Sequence, residues 1–209
     1  MSLFEERTRL APTFQGVAIM NRIQSAVRPW SLSIPLLLAL SCAGCLISET
    51  TQFTITMNDD GKTGTIVTVM RNIQSEETDG ERQAKDFDEA IRAWKGDDYL
   101  LERMREGLYV KDRALSVEGD QLVWKETALF SDLGDVFRHE YRNDTLRFVI
   151  KEGQSVVATN GTLLSTKDST TVFWALNGTK ELSLTTRADS FSSRSDFAAR
   201  FRKYLKAVH

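Results

Sequence analysis

The spacing of apolar and polar positions changes period several times along the chain, and each change marks an element. In "QFTITM" (52–57), Phe53, Ile55 and Met57 fall on one side and Gln52, Thr54 and Thr56 on the other. That is the two-residue period of a half-buried strand. "NDDGKTG" is dense in turn residues, and the "TIVTVM" that follows it is β-branched and almost continuously apolar. Two such runs around a Gly- and Asp-rich loop predict a hairpin. "RNIQSEETDGERQAK" is polar and reads as loop. The period then lengthens. Phe87, Ala90, Ile91 and Trp94 recur at i, i+3, i+4 and i+7, and Leu101, Met104 and Leu108 continue an apolar stripe. Gly96 with Asp97 and Asp98 predicts a division into two helices, and Gly107 a stop.

From Leu108 the pattern is β again. Strands are expected about a Gly119-Asp120 turn, then a meander over 135–188. Asn143-Asp144, Glu152-Gly153, Asn160-Gly161 and Asn177-Gly178 punctuate that meander at hairpin-like intervals. Asn160-Gly161 also admits a kink within one extended run. A last helix follows, with Phe197, Phe201, Tyr204, Leu205 and Val208 in one stripe and Arg200, Arg202, Lys203 and Lys206 in its last turns. Ser193 and Asp196 have capping-box spacing. The stripe is expected to cover the sheet, with the basic residues facing solvent, in preference to lying on an anionic membrane. The fold class read from this order is α+β: an antiparallel sheet of hairpin plus meander, with an inserted amphipathic helix and a C-terminal helix.

The first 45 residues follow another plan. "MNRIQSAVRPW" from Met20 is basic through Arg22 and Arg28, "SLSIPLLLAL" (31–40) is apolar, and "SCAGC" is small residues ending in Cys45. Basic, apolar, small is the order of a secretory signal. The apolar run is shorter than the roughly 20 residues a membrane span needs. Cys42 and Cys45 form a C-x-x-C, but a redox or metal role expects a folded scaffold and, for zinc, further ligands. "MSLFEERTRLAPTFQGVAI" ahead of Met20 carries Glu5 and Glu6, foreign to a signal peptide. The organisation expected is therefore a misassigned start extension (1–19), a signal peptide (20–44), a polar lipidated tether (45–51) and a single α+β domain (52–209).

Ala43, Gly44 and Cys45 make this segment resemble a bacterial lipoprotein signal peptide, although Cys42 stands where that family has Leu. The resemblance implies cleavage after Gly44 and diacylglyceryl modification of the Cys45 thiol, with palmitate-like chains. It also implies a membrane-anchored place in the bacterial cell envelope, outside the cytoplasm. In a host with two membranes, Leu46 in place of Asp implies the outer one. A lipidated Cys, a threonine-rich hairpin with an Asp-Gly turn, an amphipathic helix and further strands are together similar to the LppM-type lipoprotein domain, over roughly residues 45–150. That family's C-terminal membrane segment has no counterpart among the elements read here. The likeness carries over no functional residue.

Composition narrows the chemistry. The 209 residues suit one domain with a proper core. There are 27 basic and 29 acidic residues. Setting aside the four arginines and two glutamates of the first 45 leaves 23 and 27, a formal charge of −4. This gives no footprint for nucleic acid, and two cysteines build no disulfide framework. Gly61-Lys62-Thr63 ends like a phosphate-binding loop, but Thr56 stands where its first Gly belongs and no helix follows. Asp59 and Asp60 do not open a calcium loop with its closing glutamate. "HEYRN" begins like a zinc-protease motif but lacks the second His, and only His139 and His209 exist. Glu126 and Glu140 are the carboxylates a hydrolase would call upon. No G-x-S-x-G is present, and the Asn-Gly-Thr triplets read as turns.

Aromatic side chains remain. Trp94, Trp124, Phe173 and Trp174, with Phe130 and Phe137, could line a groove for an apolar or glycan ligand; Phe173 and Trp174 are adjacent and must face opposite ways in a strand. The function expected is that of a non-catalytic binding or assembly module. It is anchored by its lipid and meets an envelope protein, lipid or cell-wall partner. It has no cofactor, metal, catalytic residue or nucleic acid. A purely structural envelope protein, or a hydrolase using unrecognised carboxylates, of which Glu126 with Glu140 is one example, are the alternatives.

Overall fold

The computed structural model describes residues 46–138, 140–166, 169–191 and 196–208. Cys42, Gly44, Cys45, Ser193, His139 and His209 lie outside them. The first hairpin forms as its alternation predicts, from β1 (Leu46–Met57) and β2 (Gly64–Ser75). Its loop is organised by Asp60, whose carboxylate accepts from the Lys62 and Thr63 amides at 2.8 and 2.9 Å, while Gly61 takes φ +65°. Gly64 opens β2 beneath the Phe130 ring, where a Cβ would collide with the ring and with the Thr56 carbonyl.

Both strands are longer than the alternation predicts. Residues 46–51, expected as a tether, are strand from Leu46, which is paired with Ser75. The polar stretch after Met70, expected as loop, continues β2 to Ser75. Asn72, at φ +54°, breaks the alternation so that Met70 and Ile73, three apart, both point into one core. A polar appearance hid the strand because the parity of its apolar residues changes midway.

Helix α1 (Gly80–Lys95) starts at the Asp79 cap, which accepts from the Glu81 and Arg82 amides at 3.1 and 3.0 Å. The break at Gly96 is as read, and α2 (Asp97–Arg105) ends at Gly107, φ +83°. The expected stripe on α2 is wrong: Leu101 and Met104 are exposed, while Tyr99 and Arg103 face inward. Strands β3 (Leu108–Glu118) and β4 (Gln121–Phe130) close on Gly119-Asp120. A one-turn helix that the apolar pattern did not mark, α3 (Leu133–Val136), is capped by Asp132. The meander then runs through β5 (Tyr141–Arg142), β6 (Thr145–Ile150), β7 (Gln154–Thr159), β8 (Thr162–Ser165), β9 (Thr170–Ala175) and β10 (Glu181–Ala188), before α4 (Phe197–Val208).

The strands form two antiparallel sheets instead of one. Six are ordered β3-β4-β2-β1-β10-β7 and four β5-β6-β9-β8. Asn160-Gly161 is the kink, not a hairpin: it carries the chain from the edge of the first sheet to the edge of the second. Asn160 holds this corner, donating to the Glu181 carbonyl and accepting from the Ser183 amide and the Trp174 indole N–H at 2.8–2.9 Å. A Cβ on Gly161 would lie 2.7 Å from Trp174 and Val172, so only glycine fits.

Both cores lie on one face of the six-stranded sheet. Toward the Met57 end the second sheet covers it, packing Leu146, Phe148, Val172 and Trp174 on Phe53, Ile55, Phe130, Leu182 and Leu184. The aromatic rings there meet at 5.0–5.5 Å for Phe53–Phe148 and Phe148–Trp174. Toward the Ser75 end the helices cover it, packing Phe87, Tyr99, Phe197 and Phe201 on Met70, Leu115, Leu122 and Trp124. The C-terminal helix therefore lies on the sheet, as expected; Val208 alone of its stripe is exposed. Among the described residues no helix is long and apolar enough to cross a membrane.

Candidate functional site

Strand β4 runs under both cores, and its inward residues in order are Leu122, Trp124, Glu126, Ala128 and Phe130. The first two belong to the helix-covered core and the last two to the inter-sheet core. Glu126 sits at the seam. Its carboxylate accepts from Arg103 Nε and Nη2 at 3.1 and 2.9 Å and from the Tyr99 hydroxyl. Arg103 turns its remaining nitrogen to Glu106. The guanidinium of Arg113, opposite Glu126 on β3, lies 5.6 Å from the Tyr99 ring centre and donates to the Ala93 carbonyl. Arg103 and Glu126 are each 2% exposed. A charge so placed must be paired and hydrogen-bonded to be tolerated, and this one is.

The electrostatics follow from burial. Loss of water pushes the Tyr99 hydroxyl far above its ordinary value, and the adjacent Glu126 charge pushes it further. The phenol therefore stays a proton donor. Half-buried Glu106 is also raised, because desolvation outweighs the attraction of Arg103. The folded chain keeps the Glu106 proton at pH values where the unfolded chain has released it. This group's contribution to stability is thus fully present below the ordinary value of 4.5 and lost as pH rises through the raised one. Glu106→Gln removes that titration. In urea unfolding, its stability relative to the parent should climb from mildly acidic to neutral pH; a difference that stays flat across that range would show that Glu106 does not titrate this way.

This arrangement binds α2 to the sheet. Both carboxylate oxygens of Glu126 are occupied by Arg103 and Tyr99. Glu140 lies elsewhere, in the turn between α3 and β6, with its amide on the Phe137 carbonyl. The Arg103–Glu126 pair spans 23 residues, and no local pattern marks it; the available signal was an arginine four residues after Tyr99, on the same side of α2.

The sequence-predicted aromatic residues do not share a groove. Trp124 is buried in the helix-covered core and Trp174 in the inter-sheet core. Trp94 packs edge-on against Phe201 at 5.4 Å, with the Lys95 ammonium 5.1 Å from its ring centre. Phe173 does face away from Trp174, beneath the Arg147 guanidinium. In the β1–β2 loop, the Asp60 carboxyl is held below its usual range by the Lys62 and Thr63 amides, and Asp59 pairs with Lys180. Asp60 thus serves the turn, and Asp59 ties it to the segment before β10. Among the described residues no group of three or more His, Cys, Asp or Glu is placed to hold a metal ion.

The other face of the six-stranded sheet is mostly half-buried or exposed among the described residues, although Val123 of β4 is buried there. Register places Lys125, Val69, Gln52 and Thr185 in one row across it, and Thr127, Val67, Thr54 and Ser183 in the next. Thr56, Thr65, Leu129 and Tyr109 form a third. Both cores draw on the opposite face, so among the described residues neither helices nor the second sheet cover this one. Threonine suits it twice, through β propensity and a solvated hydroxyl. Fold and site together define an α+β protein with a hydrogen-bonded Arg103–Glu126 pair in its interior and a hydroxyl-rich sheet face. No family model, curated protein or solved structure matches the chain.

Proposed function

We propose that the protein is a lipid-anchored bacterial envelope protein acting as a non-catalytic binding or assembly module, with the hydroxyl-rich face of the six-stranded sheet as its contact surface. The observation that carries this reading is the position of β1. Leu46, the residue after Cys45, is already paired with Ser75, and β1 lies in the interior of the sheet, between β2 and β10. A diacylglyceryl group on Cys45 would be joined directly to an interior strand of the six-stranded sheet. The module would then be held close to the membrane, in a limited range of orientations, with its threonine rows available to an envelope protein, lipid or cell-wall partner. The internal use of Glu126 and Arg103 supports a non-catalytic role.

The anchor is tested by Cys45→Ser. The variant should accumulate as an uncleaved precursor without acyl mass and partition into the aqueous phase of a detergent phase separation. A variant with the mature mass that still enters the detergent phase rules the lipoprotein reading out. The module is tested by purification from solubilised membranes. A partner should co-purify with the parent and be lost with Thr54→Lys, while thermal unfolding is unchanged; a chain that emerges alone or only with itself removes the assembly reading.

A further inference from the structure

A sheet edge presents unpaired backbone donors and acceptors, and proteins usually blunt it with charge, a bulge or extreme shortness. Among the described residues the two sheets have four edges, and three of them are managed in that way. Strand β3 carries Lys111, Asp112, Arg113 and Glu118 and a register shift between Val110 and Asp112. Strand β7 has a register shift opposite Thr185 and Thr186. Strand β5 is two residues long. Strand β8 is short at four residues but has an unbroken register with β9 and neither charge nor proline. It also exposes two leucines, Leu163 at 49% and Leu164 at 53%. No charged residue occurs from Gln154 to Ser165.

We propose that β8 is a self-association edge, on which a second copy of this chain adds its own β8 in antiparallel register and extends the four-stranded sheet across a two-fold axis. Three observations select a second copy over a foreign strand. First, an uncharged strand laid on its own antiparallel copy meets no like-charge pair, which β3 would. Second, residues directly opposite one another must share a face, so the two-fold axis passes through Leu163 or through Leu164. Either register sets that leucine against its copy. Third, an edge that accepts foreign strands selects them by pockets for alternate side chains, whereas both leucines of β8 project. The edge is also preorganised: Asn160 and Gly161 hold the strand's entry against Ser183 and Trp174, which lowers the ordering cost of pairing.

The proposal is independent of the lipid on Cys45. Its test is disulfide trapping of the full chain in whole cells of its host. Opposed residues of an antiparallel pair lie within disulfide reach. Leu163→Cys or Leu164→Cys, whichever lies on the axis, should therefore give a covalent dimer on mild oxidation, several-fold above Lys111→Cys on the opposite edge. Adding Leu164→Lys to the Leu163→Cys chain, or Leu163→Lys to the Leu164→Cys chain, should return that yield to the control level. Dimer no stronger than the Lys111→Cys control at both positions overturns the proposal. So does a yield that the added lysine leaves unchanged. Oxidation of the parent chain reports separately on the anchor, because Cys42 and Cys45 are available to crosslink only where the leader is uncleaved or Cys45 is unlipidated.

Discussion

Glu126→Ala should lower the stability of the protein by about 3–5 kcal/mol, the cost of stripping a partner from a buried pair. The substitution leaves the Arg103 guanidinium at the seam with Glu106 as its only carboxylate, and the Tyr99 hydroxyl without its acceptor. Trp124 and Ala128 flank the site on β4, so water cannot enter cheaply to replace the lost oxygens. Replacing both ends, Glu126→Leu with Arg103→Met, should be close to neutral, because the desolvation of two charges disappears along with their attraction. Urea unfolding of the single and double variants measures this directly. A single-variant loss below about 1 kcal/mol, the range of an exposed pair, would show that the pair does not hold α2 on the sheet.

The second large effect belongs to α4. Phe201 is 1% exposed, meets the Trp94 ring edge-on and stacks over Tyr204 at 6.2 Å. Phe201→Ala should cost about 3–5 kcal/mol, the sum of lost burial and the cavity left behind. For a chain of this size that is a fall in melting temperature on the order of 10 °C. Binding to vesicles of anionic lipid should not change, since the apolar side of the helix is already used by the sheet. Unaltered stability with weakened vesicle binding would instead make α4 a membrane contact. The basic residues need no membrane to account for them: Arg202 bonds the Gly119 carbonyl and Asp120 at the β3–β4 turn, and Lys203 and Lys206 are exposed.

Much of the fold was legible because its signals are short-range. The alternation of Phe53, Ile55 and Met57, the i, i+3, i+4 spacing of Phe87, Ala90 and Ile91, and the glycines at 96, 107, 119 and 178 each express a preference settled within a few residues. The candidate site was not legible in the same way. Glu126 looked like one surface acid among 29, and Trp124 and Trp174 looked as available to a ligand as Trp94. Burial is decided by what approaches from elsewhere in the chain, and no local period records it.

The sequence by itself thus determined the class of the fold, the first hairpin, the division of the inserted helix at Gly96 and the apolar side of the C-terminal helix. Its leader also supplied the argument for an anchor at Cys45. Tertiary structure alone decided that residues 46–51 are strand, because they pair in unbroken register with 70–75, a stretch whose polar residues mark no strand locally. It alone divided the strands between two sheets at Asn160-Gly161, where a side chain hydrogen-bonds to strands 14–23 residues away. And it alone turned Arg103 and Glu126 toward each other. An ion pair in a low-dielectric seam is stable only when both charges arrive together, which is a property of packing and not of either segment.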